Sequence, residues 1–273
     1  MKRFAIDDDD DRPIGRILTR REILALLGGS ALVAACAPAA LNAPSATTAA
    51  TQVAATSVAA TAAAASASAA VVLPSCVVRP ALTEGPYFVD EKLNRSDIRS
   101  DPSTNATKPG VALALTVLVS KVTGTSCAAL AAATVDVWHC DALGVYSDAT
   151  DPTFGSTKGT KFLRGFQTTD ASGAAKFTTI WPGWYRGRAT HIHFKIRTTA
   201  ASGQVSDFTS QLFFNETLND QIFALAPYSQ KGGSGRLRNE SDGIFQQSGG
   251  KLTLAPTKTA DGYAVTFDIG LTA

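Results

Sequence analysis

The chain carries little charge and almost no net charge. Asp, Glu, Lys and Arg make up 18% of its 273 residues, and the formal balance is +2. That balance lacks the basic excess by which a nucleic-acid partner is recognised. General disorder is excluded as well, because hydrophobic residues make up 45% of the chain and charge is too sparse to hold it open. The uncharged apolar run over residues 23–35 is 13 residues long, short of the roughly 20 that a spanning helix needs. Histidine is scarce too, with three in the whole chain, and there are four cysteines.

The short apolar run follows Thr19, Arg20 and Arg21 and precedes a small-residue segment. Residues 1–35 therefore read as a twin-arginine signal peptide, which makes the twin-arginine export machinery an expected partner. The run ends in Val33-Ala34-Ala35-Cys36, which resembles a bacterial lipobox whose cysteine is lipidated. An ordinary small-residue cleavage site is the other reading. The expected location is outside the cytoplasm, periplasmic or at the cell surface, with contact to the membrane through a lipid anchor on Cys36 only. Residues 36–75 form an expected linker: from residue 37 they hold no charged side chain, nearly half are alanine, and no apolar stripe separates from a polar face.

Residues 76–273 suit one domain. With Cys36 assigned to the lipobox, Cys76, Cys127 and Cys140 remain in a compartment that permits disulfides. Cys76 opens the domain and Cys127 lies in a Gly-Thr-Ser loop. Pairing them closes a loop of about 50 residues, worth roughly 4 kcal/mol in the chain-entropy picture. Cys140 lies in an apolar strand pattern and is expected as a buried free thiol.

Residues 111–119 are almost continuously apolar, and residues 135–139 alternate with period two. Both read as strands, as do 175–180, 191–197, 210–214, 252–254 and 264–269, mostly separated by Gly, Asp, Ser or Pro. Only residues 217–225 read as helix, with Thr217 and Asp220 in capping-box spacing. The pattern predicts an all-β domain, an antiparallel β-sandwich with long loops and little helix.

Two of the three histidines form His191-Ile192-His193 inside one of these strands, where residues two apart share a face. The imidazoles are then side by side. From that alone, a metal site and a pair of satisfied core histidines stay equally open. No carboxylate follows closely: the next residues are Lys195, Ile196, Arg197 and Thr198, and the first acid is Asp207. A ferrous two-histidine-one-carboxylate site is therefore not indicated. Tyr146 and Tyr185 lie near instead, and a phenolate is a hard anionic donor suited to a trivalent cation.

The segments Thr83-Glu84-Gly85-Pro86-Tyr87, Val135-Asp136-Val137-Trp138-His139, Gly144-Val145-Tyr146-Ser147, Thr169-Asp170-Ala171-Ser172-Gly173, Pro182-Gly183-Trp184-Tyr185 and Arg188-Ala189-Thr190-His191-Ile192-His193 occur in that order. Together they resemble the intradiol ring-cleavage dioxygenases, across most of residues 76–273. The resemblance implies a β-sandwich binding one Fe(3+) per chain through Tyr146, Tyr185, His191 and His193. It implies a reaction of O2 with a catechol-type substrate, giving muconate-type dicarboxylic acids. Arg188 and Gln211 would line the reaction site, with Tyr185 serving as both ligand and base, and Gly85 and Pro86 would flank the substrate. Tyr87 reads equally as pocket wall or packing aromatic, and His139 as structural. The helical N-terminal dimerisation segment of the cytoplasmic catechol enzymes has no counterpart, so substrate and oligomeric state are not carried over. The competing reading is a tethered β-sandwich binding module, for sugars, a surface partner or zinc, that keeps the fold without catalysis.

Overall fold

The computed structural model describes residues 77–199 and 202–272. The expected signal peptide, the linker, Cys36 and Cys76 lie outside the described residues. Eleven strands follow one another: β1 (Ala112–Thr123), β2 (Ser126–Ala129), β3 (Thr134–Trp138), β4 (Thr150–Asp151), β5 (Gly155–Ser156), β6 (Arg164–Thr168), β7 (Ala174–Ile180), β8 (His191–Thr199), β9 (Val205–Phe213), β10 (Thr257–Lys258) and β11 (Gly262–Thr272).

β1 is the hub of the first sheet. Its odd-numbered Leu113, Leu115, Val117 and Val119 are all buried, the period-two pattern of a strand with one face in the core. It pairs antiparallel with β7 through Leu118 and then with β2 from Ser120, while β11 and β10 extend the other side. The second sheet runs β6-β3-β8-β9, antiparallel throughout. Both sheets contribute their buried apolar side chains to one core. Phe194 of β8 meets Phe267 of β11 across it, ring centroids 5.6 Å apart. Burial of each such large apolar side chain stabilises the sandwich by about 1.5–3 kcal/mol.

Three expectations require correction. The sandwich is not wholly antiparallel, because β1 and β11 run parallel over their length; strands so distant in sequence carry no local signal of relative direction. Residues 252–254 do not form a strand. Leu252 and Leu254 are buried, and their backbones bond only to Phe213, at 2.9 and 2.8 Å. The helix is Glu216–Phe223 and its cap is Asn215, which accepts from the Thr217 and Leu218 amides at 2.9 and 3.3 Å. Asn caps as well as Thr and here precedes the first helical residue. A second short helix, Gly243–Ser248, has no periodic apolar stripe to announce it and is capped by Asp242.

Cys127 is disulfide-bonded. Cys140 is free and buried, and burial pushes its thiol well above the ordinary range. His139 is buried after β3, with Nδ1 2.8 Å from the Cys140 carbonyl and Nε2 2.7 Å from Thr179 Oγ1. A carbonyl only accepts, so Nδ1 carries the proton and Nε2 accepts from the hydroxyl. Burial depresses this imidazole to about 4. A histidine held neutral favours folding less and less as pH falls from its unfolded value near 6.5. His139 is therefore expected to cost the fold about 2–3 kcal/mol between pH 6.5 and 4.5. Urea unfolding at both pH values checks this, because His139→Gln should reduce the acid loss by about that amount. Equal losses in variant and parent would refute the assignment.

Candidate active site

β8 alternates strictly. Ile192, Phe194 and Ile196 point into the core with no exposed surface, so His191 and His193 emerge together on the opposite face. Loops bury that face in turn. Register places Trp138 of β3 on one side of His193 and Gln211 of β9 on the other. The Trp138 and His193 rings stack at 5.0 Å with an interplanar angle of 7°.

The tyrosines arrive on two loops. After β3, the Asp141 carboxylate accepts from the Leu143 and Val145 amides at 3.0 Å each, which closes the turn that presents Tyr146. Gly144 in this turn has φ +83°, and a Cβ there would strike the Trp184 carbonyl. That close approach brings the Tyr146 loop against the loop carrying Tyr185. Lys231 fastens the two, donating to Leu143 O at 2.6 Å and Trp184 O at 2.7 Å. The buried Arg164 guanidinium holds a third piece, donating from Nε to Ser147 Oγ at 2.7 Å and from Nη1 to Tyr87 O at 3.1 Å.

Four donor atoms converge as a result. His191 Nε2 lies 2.9 Å from His193 Nε2, 3.3 Å from Tyr185 Oη and 3.5 Å from Tyr146 Oη. His191 Nδ1 is 2.6 Å from Ala189 O; it must be protonated, which leaves Nε2 with a lone pair. Donors bound at about 2.1 Å to one ion, and about 90–109° apart, stand about 3.0–3.4 Å from each other, so the observed spacings suit a single cation. Among the described residues no three His, Cys, Asp or Glu side chains form a metal-binding group. Any metal here depends on the phenols.

The electrostatics agree with such a role. Burial, then the neighbouring charge of Arg188, keeps His191 well below its ordinary value; burial, His191 and Arg188 do the same to His193. Both imidazoles are neutral and ready to donate. Burial pushes Tyr185 up to about 12 and Tyr146 well above its ordinary range. Each phenol therefore needs a strong local cation to ionise.

Arg188 points its charge at this cluster. Its Nε donates to Asp242 at 3.0 Å and a terminal nitrogen donates to Gln211 Oε1 at 2.6 Å. Burial would lower its pKa, but Tyr185 and Asp242 outweigh that and raise it. Gln211 is buried with both ends engaged, since its Nε2 donates to Thr83 O at 3.0 Å. Tyr87 is half-buried, stacks on Tyr146 at 4.2 Å and donates to Asp151 at 2.5 Å. Gly85 lies against His193, while Pro86 beside it is exposed.

Tyr146, Tyr185, His191, His193, Arg188, Gln211, Gly85 and Tyr87 thus fall around one point, whereas Cys127 lies apart on β2. Sequence reasoning missed Asp242, Arg164 and Lys231. Asp242 holds Arg188 and the Ala189 amide (2.7 Å) while capping the short helix. Its one local signal is an acid before Gly243, which occurs by chance in many loops.

The dioxygenase family profile matches residues 83–273. Among solved structures, the chain is 31% identical to an intradiol ring-cleavage dioxygenase from Tetranychus urticae, with a TM-score of 0.60, covering 72% of this chain and 94% of that one. It is 26% identical to the dioxygenase domain of a dioxygenase and carbohydrate-binding protein fusion from the cellulolytic bacterium Streptomyces sp. SirexAA-E, with a TM-score of 0.50, covering 72% and 99%. No match is found among curated proteins. The chain belongs to the intradiol ring-cleavage dioxygenase family. It is an oxidoreductase of that class.

Gly85 offers a test of the packing at this point. Its φ is +70°, and an added Cβ would come within 3.2 Å of His193 Cε1. Gly85→Ala is expected to destabilise the domain by about 1–2 kcal/mol through backbone strain, measured as a lower urea midpoint. An unchanged midpoint would contradict the close approach.

Proposed function

We propose that Tyr146, Tyr185, His191 and His193 hold one iron(III) ion, and that the protein cleaves catechol-type rings between the two hydroxyl-bearing carbons using O2. The convergence of two phenols and two neutral imidazoles beneath a buried arginine carries this reading. Two anionic oxygens favour the ferric over the ferrous state. When bound, iron(III) supplies the electron withdrawal that opens a catechol ring to oxygen.

The side chains have separate tasks. The Ala189 carbonyl leaves the His191 Nε2 lone pair free, and the Trp138 stack fixes the orientation of the His193 ring. Tyr185, less buried than Tyr146, is the phenol that can move and take a proton from a substrate hydroxyl at Oη. Arg188 faces the ring position where negative charge develops and stabilises it in a site that water does not screen. Gln211 and Asp242 fix the guanidinium, so little reorganisation is needed during the reaction. Gly85 leaves room beside His193 for a flat ring, with Tyr87 closing the side next to Tyr146. For the remainder of the chain we propose export by the twin-arginine route, lipid anchoring at Cys36 and a Cys76–Cys127 disulfide, each supported by the sequence patterns given above.

Purified protein is expected to be reddish, because tyrosinate bound to iron(III) absorbs visible light and zinc or an empty site does not. With catechol it should consume O2 and release a muconate-type diacid carrying both oxygen atoms, identified by mass spectrometry after labelling. A yellow semialdehyde would overturn the ferric mechanism, and no oxygen uptake across catechol, protocatechuate and hydroxyquinol would overturn the enzyme reading. Asp242→Asn keeps a capping oxygen but removes the charge that steadies Arg188. Turnover is expected to fall about 10- to 100-fold with iron content retained, as read by oxygen electrode and metal analysis. An unaltered rate would show that Arg188 does not need this partner.

A further inference from the structure

Beside Tyr185 the surface opens into a cleft of about 560 Å³, within the range of small-molecule sites. Tyr185 and Trp184 form one wall and Phe154 another, so a flat ring meets aromatic faces. The polar lining is one-sided in charge: Arg186 and Lys231 line the cleft, and no carboxylate does. The carboxylate that acts on Lys231 is Asp141, and it is already paired with Lys108 at 2.8 Å.

The two cations differ in what they are free to do. Lys231 spends two of its three N–H donors on Leu143 O and Trp184 O, so it holds the loops and leaves one donor over. Arg186 is exposed and, alone among the described arginines, makes no hydrogen bond or ion pair. An arginine kept for structure would be expected to have a partner, as Arg95, Arg164, Arg188 and Arg197 all do. The Arg186 fork is one residue from the phenol proposed to meet the substrate and can pair with a carboxylate through two parallel bonds.

We propose that this cleft selects catechols bearing an anionic ring substituent, with Arg186 as the residue that reads the charge. The inference rests on the dioxygenase reading of the adjoining site and adds the class of substrate to it. Lys231 contributes background positive potential, and Trp184 and Phe154 line the cleft without discriminating the charge of a substituent that enters it. Arg186 therefore acts on the ratio of affinities for differently charged catechols.

Anaerobic calorimetry on the iron-loaded full chain tests this with three ligands of one shape class: catechol, 3,4-dihydroxybenzoate and 4-(2-aminoethyl)catechol. The parent protein is expected to bind the carboxylate tighter than the amine, by about tenfold or more at low salt, and the preference should shrink as ionic strength rises. Arg186→Gln should reduce that ratio, and Arg186→Glu should invert it in favour of the amine. A ratio near one in the parent, or a ratio that Arg186→Glu leaves unchanged, would overturn the proposal while leaving ring cleavage intact. If none of the three ligands binds, the dioxygenase reading fails and this inference fails with it. Because Arg186 is exposed and makes no hydrogen bond or ion pair, misfolding of the variants is not expected, and equal melting temperatures would verify that.

Discussion

Strand β8 is held on both sides, by β3 and by β9, and the alternation of its side chains is the constraint on which the site depends. Ile192, Phe194 and Ile196 cannot leave the core without exposing three large apolar groups, at about 1.5–3 kcal/mol each. The register is therefore fixed, and with it the two imidazoles that emerge between them. A slip of one residue would place both histidines in the core and two apolar side chains at the site. The same register sets Trp138 and Gln211 on either side of His193, so the strand pairing also builds the packing and polar support around it.

The loops could not supply two tyrosines to this place on their own flexibility. They are fixed by cations used as hydrogen-bond donors. Lys231 joins the carbonyls of Leu143 and Trp184, and Arg164 joins those of Ser147 and Tyr87. Backbone carbonyls are good partners for this purpose because they add no charge near the phenols. Arg188 is the exception, since its partner Asp242 is a carboxylate. That acid holds the half-buried guanidinium, whose positive charge still acts on the two imidazoles and the two phenols. The outcome is a pocket of neutral donors and one cation, the setting for the metal site proposed above.

Much of this was legible in the sequence. The apolar run of β1, the period-two alternation of β3 and the short turn-bounded runs of β7, β8 and β11 pointed to the sandwich, and His191-Ile192-His193 pointed to a shared face because strand periodicity is a local property. The ordered motifs around Gly85, Tyr146, Tyr185 and Arg188 gave the family, and family membership is now shown by the match over residues 83–273. Local signals misled where competing local signals existed. Thr217 looked like the cap, yet Asn215 stands two residues earlier and accepts from the Thr217 and Leu218 amides. Leu252 and Leu254 looked like a strand because they are apolar, but the segment meets only Phe213, the last residue of β9, in one isolated parallel bridge.

The sequence by itself determined which residues could alternate, turn, cap and ligate, because those properties follow from covalent geometry and side-chain chemistry within a few positions. Only the tertiary structure decided that β11 runs parallel to β1, that Asp242 stands behind Arg188 and that Lys231 ties the two tyrosine loops together. It also decided that Arg186 is left unpaired at the mouth of a cleft without acids. Each of these joins residues far apart along the chain, and their meeting depends on how the two sheets pack and not on any pattern near either partner.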